Sequence, residues 1–121
     1  MRLQALRGAI TCDDDSKAEI EAKTARLVKE LFARNRLEHG DVVSILFTCT
    51  QDLHAEYPAR AARGALGLDD VALMGALEQD VPGGLPRCIR VMIHCYTDRP
   101  RDELQHVFLE GATSLRPDLP Q

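Results

Sequence analysis

The sequence predicts an α+β domain in which a mixed β-sheet carries its helices on one face. Three observations predict it. Two apolar runs, 42–48 and 88–96, are β-branched and of strand length. The stretch from Ser16 to Arg34 repeats apolar residues at helical spacing. The remaining punctuation leaves room for only one further short helix, in the order strand, helix, strand, helix, strand, strand, strand. So few helices can cover only one face of such a sheet. The other face needs a cover of its own, and a second subunit is the simplest.

Each element has its own grounds. Leu3 to Ile10 alternates between Leu3/Ala5/Arg7/Ala9 and Gln4/Leu6/Gly8/Ile10, with Arg7 interrupting an apolar face. Gly8 beside it marks a close approach of backbone or ligand. Asp13, Asp14, Asp15 and Ser16 suit a helix N-terminus, and Ser16 with Glu19 has capping-box spacing. Ile20, Thr24, Leu27, Val28, Leu31 and Phe32 form the buried stripe, and Asn35 and Gly40 are stop signals. Val42 to Thr48 reads as a central strand covered on both faces. Pro58 opens a short helix ended by Gly64 and Gly67. Val71 to Leu73 is a short strand, and 81–86 is a turn rich in Pro and Gly. Cys88 to Tyr96 is the clearest strand. Its Ile89/Val91/Ile93/Cys95 face is core, while Arg90 stands on the other with Cys88, Met92, His94 and Tyr96. A single helical turn near 101–104 and a last strand, His106 to Leu109, follow, and 115–121 reads as an extended tail.

The 121 residues suit one domain, 1–121, with one core. A net charge of −4 argues against nucleic acid, whose binders present basic surfaces. No apolar run approaches the ~20 residues of a membrane span, and no leader is evident, so a cytoplasmic location and no membrane partner are expected. Cys12, Cys49, Cys88 and Cys95 match no zinc spacing, and the four histidines are scattered, so no metal is expected. The cysteines read as small buried thiols in a reducing compartment.

Arg7, Arg60, Arg63, Arg90 and Arg116 carry the functional signal. Two lie inside strands, two lie three apart on the short helix, and one is in the tail. No nucleophile–base pair accompanies them. Arginine recognises carboxylates bidentately, and Glu78 can accept from a hydroxyl. Together they suit a small polyanion that also bears a hydroxyl. For Arg90 alone a structural alternative stands beside this: an ion pair with a carboxylate, although none lies nearby in sequence.

Several short stretches, in order, resemble one family. They are 6–11 (Leu-Arg-Gly-Ala-Ile-Thr), 52–55 (Asp-Leu-His-Ala), Pro58-Ala59, Ala62-Arg63, Glu78, Asp80-Val81, 83–85 (Gly-Gly-Leu) and 88–92 (Cys-Ile-Arg-Val-Met). Thr97-Asp98, His106-Val107, Leu109-Glu110 and 115–119 (Leu-Arg-Pro-Asp-Leu) complete the set. The chain resembles the small monofunctional bacterial chorismate mutases of the trimeric, non-helical class. The resemblance implies conversion of chorismate to prephenate by a [3,3]-sigmatropic rearrangement in aromatic amino-acid biosynthesis, without a cofactor. It implies a homotrimeric pseudo-α/β-barrel with active sites at subunit interfaces. It implies that Arg90 holds the enolpyruvyl carboxylate and ether oxygen, Arg7 a carboxylate, and Glu78 the ring hydroxyl. Arg63 and Arg116 would enclose the dianion, with Tyr57, Ala59, Arg60, Leu73, Met74, Gly75, Phe108 and Leu115 completing the substrate site.

Arg60 stands where the family usually has lysine, a mild change that keeps the charge, and three further positions depart from the family pattern: Phe108 replaces the usual tyrosine, Gly75 a frequent cysteine, and Met74 a threonine. They leave open an altered substrate or product, or a trimer that binds a metabolite without turning it over. A trimeric imine or enamine deaminase is the other alternative, against which the Arg7–Glu78 pair argues.

Overall fold

The computed structural model describes residues 1–118, and of the extended tail expected at 115–121 the last three residues lie outside them. Five strands form one sheet: β1 (Arg2–Thr11), β2 (Val42–Cys49), β3 (Ala72–Leu77), β4 (Cys88–Thr97) and β5 (Val107–Leu109), in the order β3-β2-β4-β1-β5. β4 is central and antiparallel to β1 and β2, while β3 and β5 lie parallel at the edges. The mixed α+β sheet expected from the sequence is therefore present. Helices α1 (Lys17–Asn35) and α2 (Pro58–Leu66) pack on the same face of it.

Alternation decides which face that is. Leu6 and Ile10 on β1, Ile45 and Phe47 on β2, and Ile89, Ile93 and Cys95 on β4 are essentially fully buried against Ile20, Leu27, Val28 and Leu31 of α1. Ser16 caps α1, its Oγ accepting from the Glu19 N–H at 3.2 Å. The reciprocal bond differs from a capping box, because the Glu19 carboxylate accepts from Asp13 N–H instead. Asn35 is the last helical residue and Arg36, in the left-handed region, is the cap. Asn35 is buried, donating to Leu31 O and Gln105 O while its Oδ1 accepts from Gln105 N–H at 2.8 Å. Its amide thus ties α1 to the approach to β5.

The sequence reading needs correcting in four places. β2 is not covered on both faces within the chain: Val43 and Leu46 are 44% and 38% exposed, and a bulge sits between Val42 and Ser44. Its apolar run comes from a second surface, not a second layer of helix. β3 runs to Leu77, longer than expected, because pairing with β2 carries Gly75 and Ala76 into the ladder. Gly64 lies inside α2, and only Gly67 ends it. Residues 110–115 form a 3₁₀ segment, so Leu115 ends a helical turn and does not begin an extended tail. The close approach expected at Gly8 is made by protein backbone: a Cβ there would lie 2.9 Å from Val107 O and 2.9 Å from Leu31 Cδ1.

Candidate active site at the open sheet face

The strand register assembles the site. On the face away from the helices, one row runs Phe108, Ala9, Arg90, Thr48, Ala76 across all five strands. The adjacent row runs Arg7, Met92, Leu46, Met74. Arg7 and Arg90 therefore share a face on neighbouring strands, as alternation required. Arg7, Leu46, Thr48, Glu78, Arg90, Val91 and Met92 line an open depression of about 250 Å³. The three residues assigned to chemistry thus meet in one chain.

Glu78 reaches this face because its N–H continues the β2–β3 ladder, donating to Cys49 O at 2.9 Å. Its Oε2 accepts from Thr48 Oγ1 at 2.7 Å and lies 3.4 Å from Arg90 Nε. The carboxylate partner that no neighbouring stretch of sequence offered Arg90 is thus Glu78, delivered by the register. The pairing is incomplete: Arg90 Nε is buried without a hydrogen bond among the described residues. A buried donor left unsatisfied costs about 1–3 kcal/mol. Nε is held in place with essentially no exposed surface, while the side chain as a whole is 39% exposed, so an acceptor from outside meets other parts of the guanidinium.

Around this centre the expected residues fall into two groups. Phe108 is only 3% exposed and packs with Ala9, Cys88 and Ala112, flanked by Leu85 and Leu115, so the 3₁₀ segment roofs one corner of the open face. Arg116 follows it, paired with Asp118 through two bonds of 3.0 and 3.1 Å. The second group lies at α2. Tyr57, Ala59, Arg60 and Gly75 line a separate depression of about 590 Å³. Arg60 stacks over the Tyr57 ring at 5.4 Å and is tied to Glu56, whose carboxyl the Tyr57 N–H and Arg60 hold below the usual range. Arg63 is exposed one turn further on, Leu73 is half-buried, and Met74 is exposed. The two depressions share only Thr48 among their described lining residues. A single chain does not bring the α2 group onto Arg90.

Two contributors escaped the sequence reading. Thr48 orients Glu78, and its signal was a hydroxyl at an alternate position in an apolar strand. His106 accepts the Arg7 N–H on Nδ1 at 3.0 Å, and its signal was only its place before β5.

The thiols offer no nucleophile. All four cysteines are free, and burial pushes each thiol up, Cys12 to about 12. Among the described residues no three His, Cys, Asp or Glu side chains are grouped to hold a metal ion, and no helix is long and apolar enough to cross a membrane.

Comparison with known proteins agrees with this geometry. The family "Chorismate mutase type I" matches residues 3–119. The chain is 43% identical over 119 residues to chorismate mutase AroH of Bacillus subtilis (strain 168), covering 98% of this chain and 94% of the relative. It is 40% identical to chorismate mutase AroH of Thermus thermophilus, covering 97% and 96%. A solved chorismate mutase from Clostridium thermocellum superposes with a TM-score of 0.89 at 48% identity, over 92% of this chain and 98% of that one.

Proposed function

The chain belongs to the type I chorismate mutase family, and from that membership we propose how its own side chains isomerise chorismate to prephenate. The observation that carries the reading is the buried, unbonded Arg90 Nε, fixed beside Glu78 and sharing a depression with Arg7. The reaction is unimolecular. It breaks a C–O bond, forms a C–C bond and transfers no proton, so it needs no nucleophile. The protein must hold a compact conformer and set a cation where negative charge grows on the ether oxygen. Arg90 takes that place and also the enolpyruvyl carboxylate. Arg7 takes a carboxylate from the next strand. Glu78 accepts from the ring hydroxyl through the oxygen not engaged by Thr48.

We assign the rest of the site to a neighbouring chain in a homotrimer. Leu3, Leu46, Met74 and Tyr96 expose 38–66% of their surface on the open face, in the pattern of an interface. The 250 Å³ depression is open to solvent, and Glu78 and Arg90 also border a second one of about 660 Å³ beside the 81–86 turn. A partner's α2, bringing Tyr57, Ala59, Arg60 and Arg63, would enlarge and close it, with Leu73, Met74 and Gly75 at its edge. Leu115 and Arg116 enclose the dianion from the 3₁₀ segment. The four free cysteines suit the reducing cytoplasm in which we place the enzyme, as a single domain.

The test follows loss of chorismate's ultraviolet absorbance and identifies the product, for the native chain and for Phe108→Tyr side by side. The native chain is expected to give prephenate. A hydroxyl added beside the bound carboxylate lowers KM by about tenfold, since a hydrogen bond to a charged group contributes about 1.5–3 kcal/mol. No turnover by either chain overturns the catalytic reading in favour of metabolite binding. Turnover with no gain from Phe108→Tyr removes Phe108 from the ligand contacts.

A further inference from the structure

We infer that Glu56 is a positioning residue for Arg60: it holds the guanidinium in one orientation, ready for a carboxylate of the substrate. Glu56 lies two residues before the start of α2, and its side chain is only 3% exposed. A carboxylate is almost never buried so far without partners. Its Oε1 has three: it accepts the Tyr57 N–H at 2.8 Å and Arg60 Nε at 2.9 Å, and it stands 2.8 Å from Arg60 Nη2. Helix geometry delivers the third residue. Arg60 is four positions on, and helical side chains lean back toward the N-terminus, which brings its guanidinium to Glu56. The same guanidinium stacks over the Tyr57 ring, with its carbon 5.4 Å from the ring centre.

Two contacts thus fix a planar group on a long, flexible stem. Glu56 takes the Nε–Nη2 edge, and the tyrosine ring takes one face. Nη1 makes no hydrogen bond or ion pair among the described residues, and with the second N–H of Nη2 it forms a fork that fits a carboxylate end-on. The Arg60 side chain is 59% exposed against 3% for Glu56, so the carboxylate is the buried anchor and the guanidinium the accessible group. An arginine ordered only on binding loses rotamer freedom at that moment, which weakens binding; one already ordered does not. A lysine has no planar edge to divide between an anchor and a ligand. The Tyr57 N–H and then Arg60 hold the Glu56 carboxyl below the usual range, so the anchor is ionised. Arg60 and Lys17 are the cations acting on it, and they compensate its repulsion of a bound dianion.

The inference rests on the placement of Arg60 in the substrate site proposed above, so the experiment separates the two. KM and kcat on chorismate are measured at one salt concentration for the native enzyme, Glu56→Ala, Glu56→Gln, Arg60→Leu, and each Glu56 change combined with Arg60→Leu, with melting curves for all. Glu56→Ala is expected to raise KM about fivefold and leave kcat within about twofold, because it disorders a binding group and touches no reacting atom. Glu56→Gln keeps a neutral acceptor for both partners and recovers part of the loss, with KM about twofold above native. Arg60→Leu raises KM by itself, and in its background neither Glu56 change moves KM further. An unchanged or lowered KM in Glu56→Ala overturns the inference. So does the same rise with Arg60→Leu present, since a merely structural Glu56 would act whatever stands at position 60. If Glu56→Ala does not fold, Glu56→Gln with and without Arg60→Leu decides in the same way. A native KM in Arg60→Leu removes Arg60 from the substrate site, and the inference falls with that placement.

Discussion

Arg90→Lys lowers kcat on chorismate by about a hundredfold or more, while KM changes by less than about tenfold. The asymmetry follows from where the cation acts. In the ground state the ether oxygen carries little charge, and Arg7 and the outer arginines share the work of binding a dianion. In the transition state the C–O bond lengthens and charge gathers on that oxygen. A donor already in place contributes most at that moment, because nothing must reorganise to meet it. Lysine keeps the charge but loses the planar fork and the Nε–H. That Nε–H is the buried donor left without a hydrogen bond 3.4 Å from Glu78. Lysine can still pair with Glu78, so folding is little affected and the loss is read in turnover. Steady-state kinetics with matched melting curves check it. A kcat within twofold of native would remove Arg90 from the breaking bond.

Gly8→Ala has the largest expected effect on stability. Its Cβ would enter between β5 and α1, 2.9 Å from Val107 O, 2.9 Å from Leu31 Cδ1 and 3.1 Å from Leu27 Cδ1. The leucine tips can turn aside, but the carbonyl is fixed in the β1–β5 ladder. Overpacking costs about 1–3 kcal/mol, and a backbone obstacle places this change near the upper end. Against a total of roughly 5–15 kcal/mol, that lowers the melting temperature by about 10 °C. The comparison is made at one chain concentration, because assembly shifts apparent stability. An unchanged melting temperature would mean that β5 moves freely away from β1.

Much of the fold was legible because its signals are local. The α1 stripe from Ile20 to Leu31 and the β4 face from Ile89 to Cys95 are periodicities, and both are buried as read. Ser16 and Pro58 are boundary chemistry, and both act as caps or starts. The errors fell where distant strands decide. β3 runs past Leu73 because β2 offers it a ladder, a pairing invisible in residues with little strand pattern of their own. Val42 to Thr48 reads as doubly buried because the run is apolar for most of its length, Val43 and Leu46 included, and one sequence does not distinguish a covering helix from a covering subunit. The candidate site followed the same division. Arg7 and Arg90 stood out as charges within apolar strands. Their partners did not: Glu78 reaches Arg90, Thr48 reaches Glu78, and His106 reaches Arg7 only through the sheet register.

The central claim is that Arg90 of one chain works against α2 of its neighbour. Subunit mixing tests it most directly. One variant, Arg90→Ala, lacks the cation; a second, Arg60→Ala with Arg63→Ala, lacks the α2 side. Each alone is expected to be nearly inactive. Unfolded together in equal amounts and refolded, they would redistribute at random among the proposed trimers. A site divided between two chains is then intact whenever the two variants meet in the right order, about one site in four. The mixture should therefore recover about a quarter of the native rate. A mixture no more active than the mean of its two parents would show that each site lies within one chain, and would contradict the account.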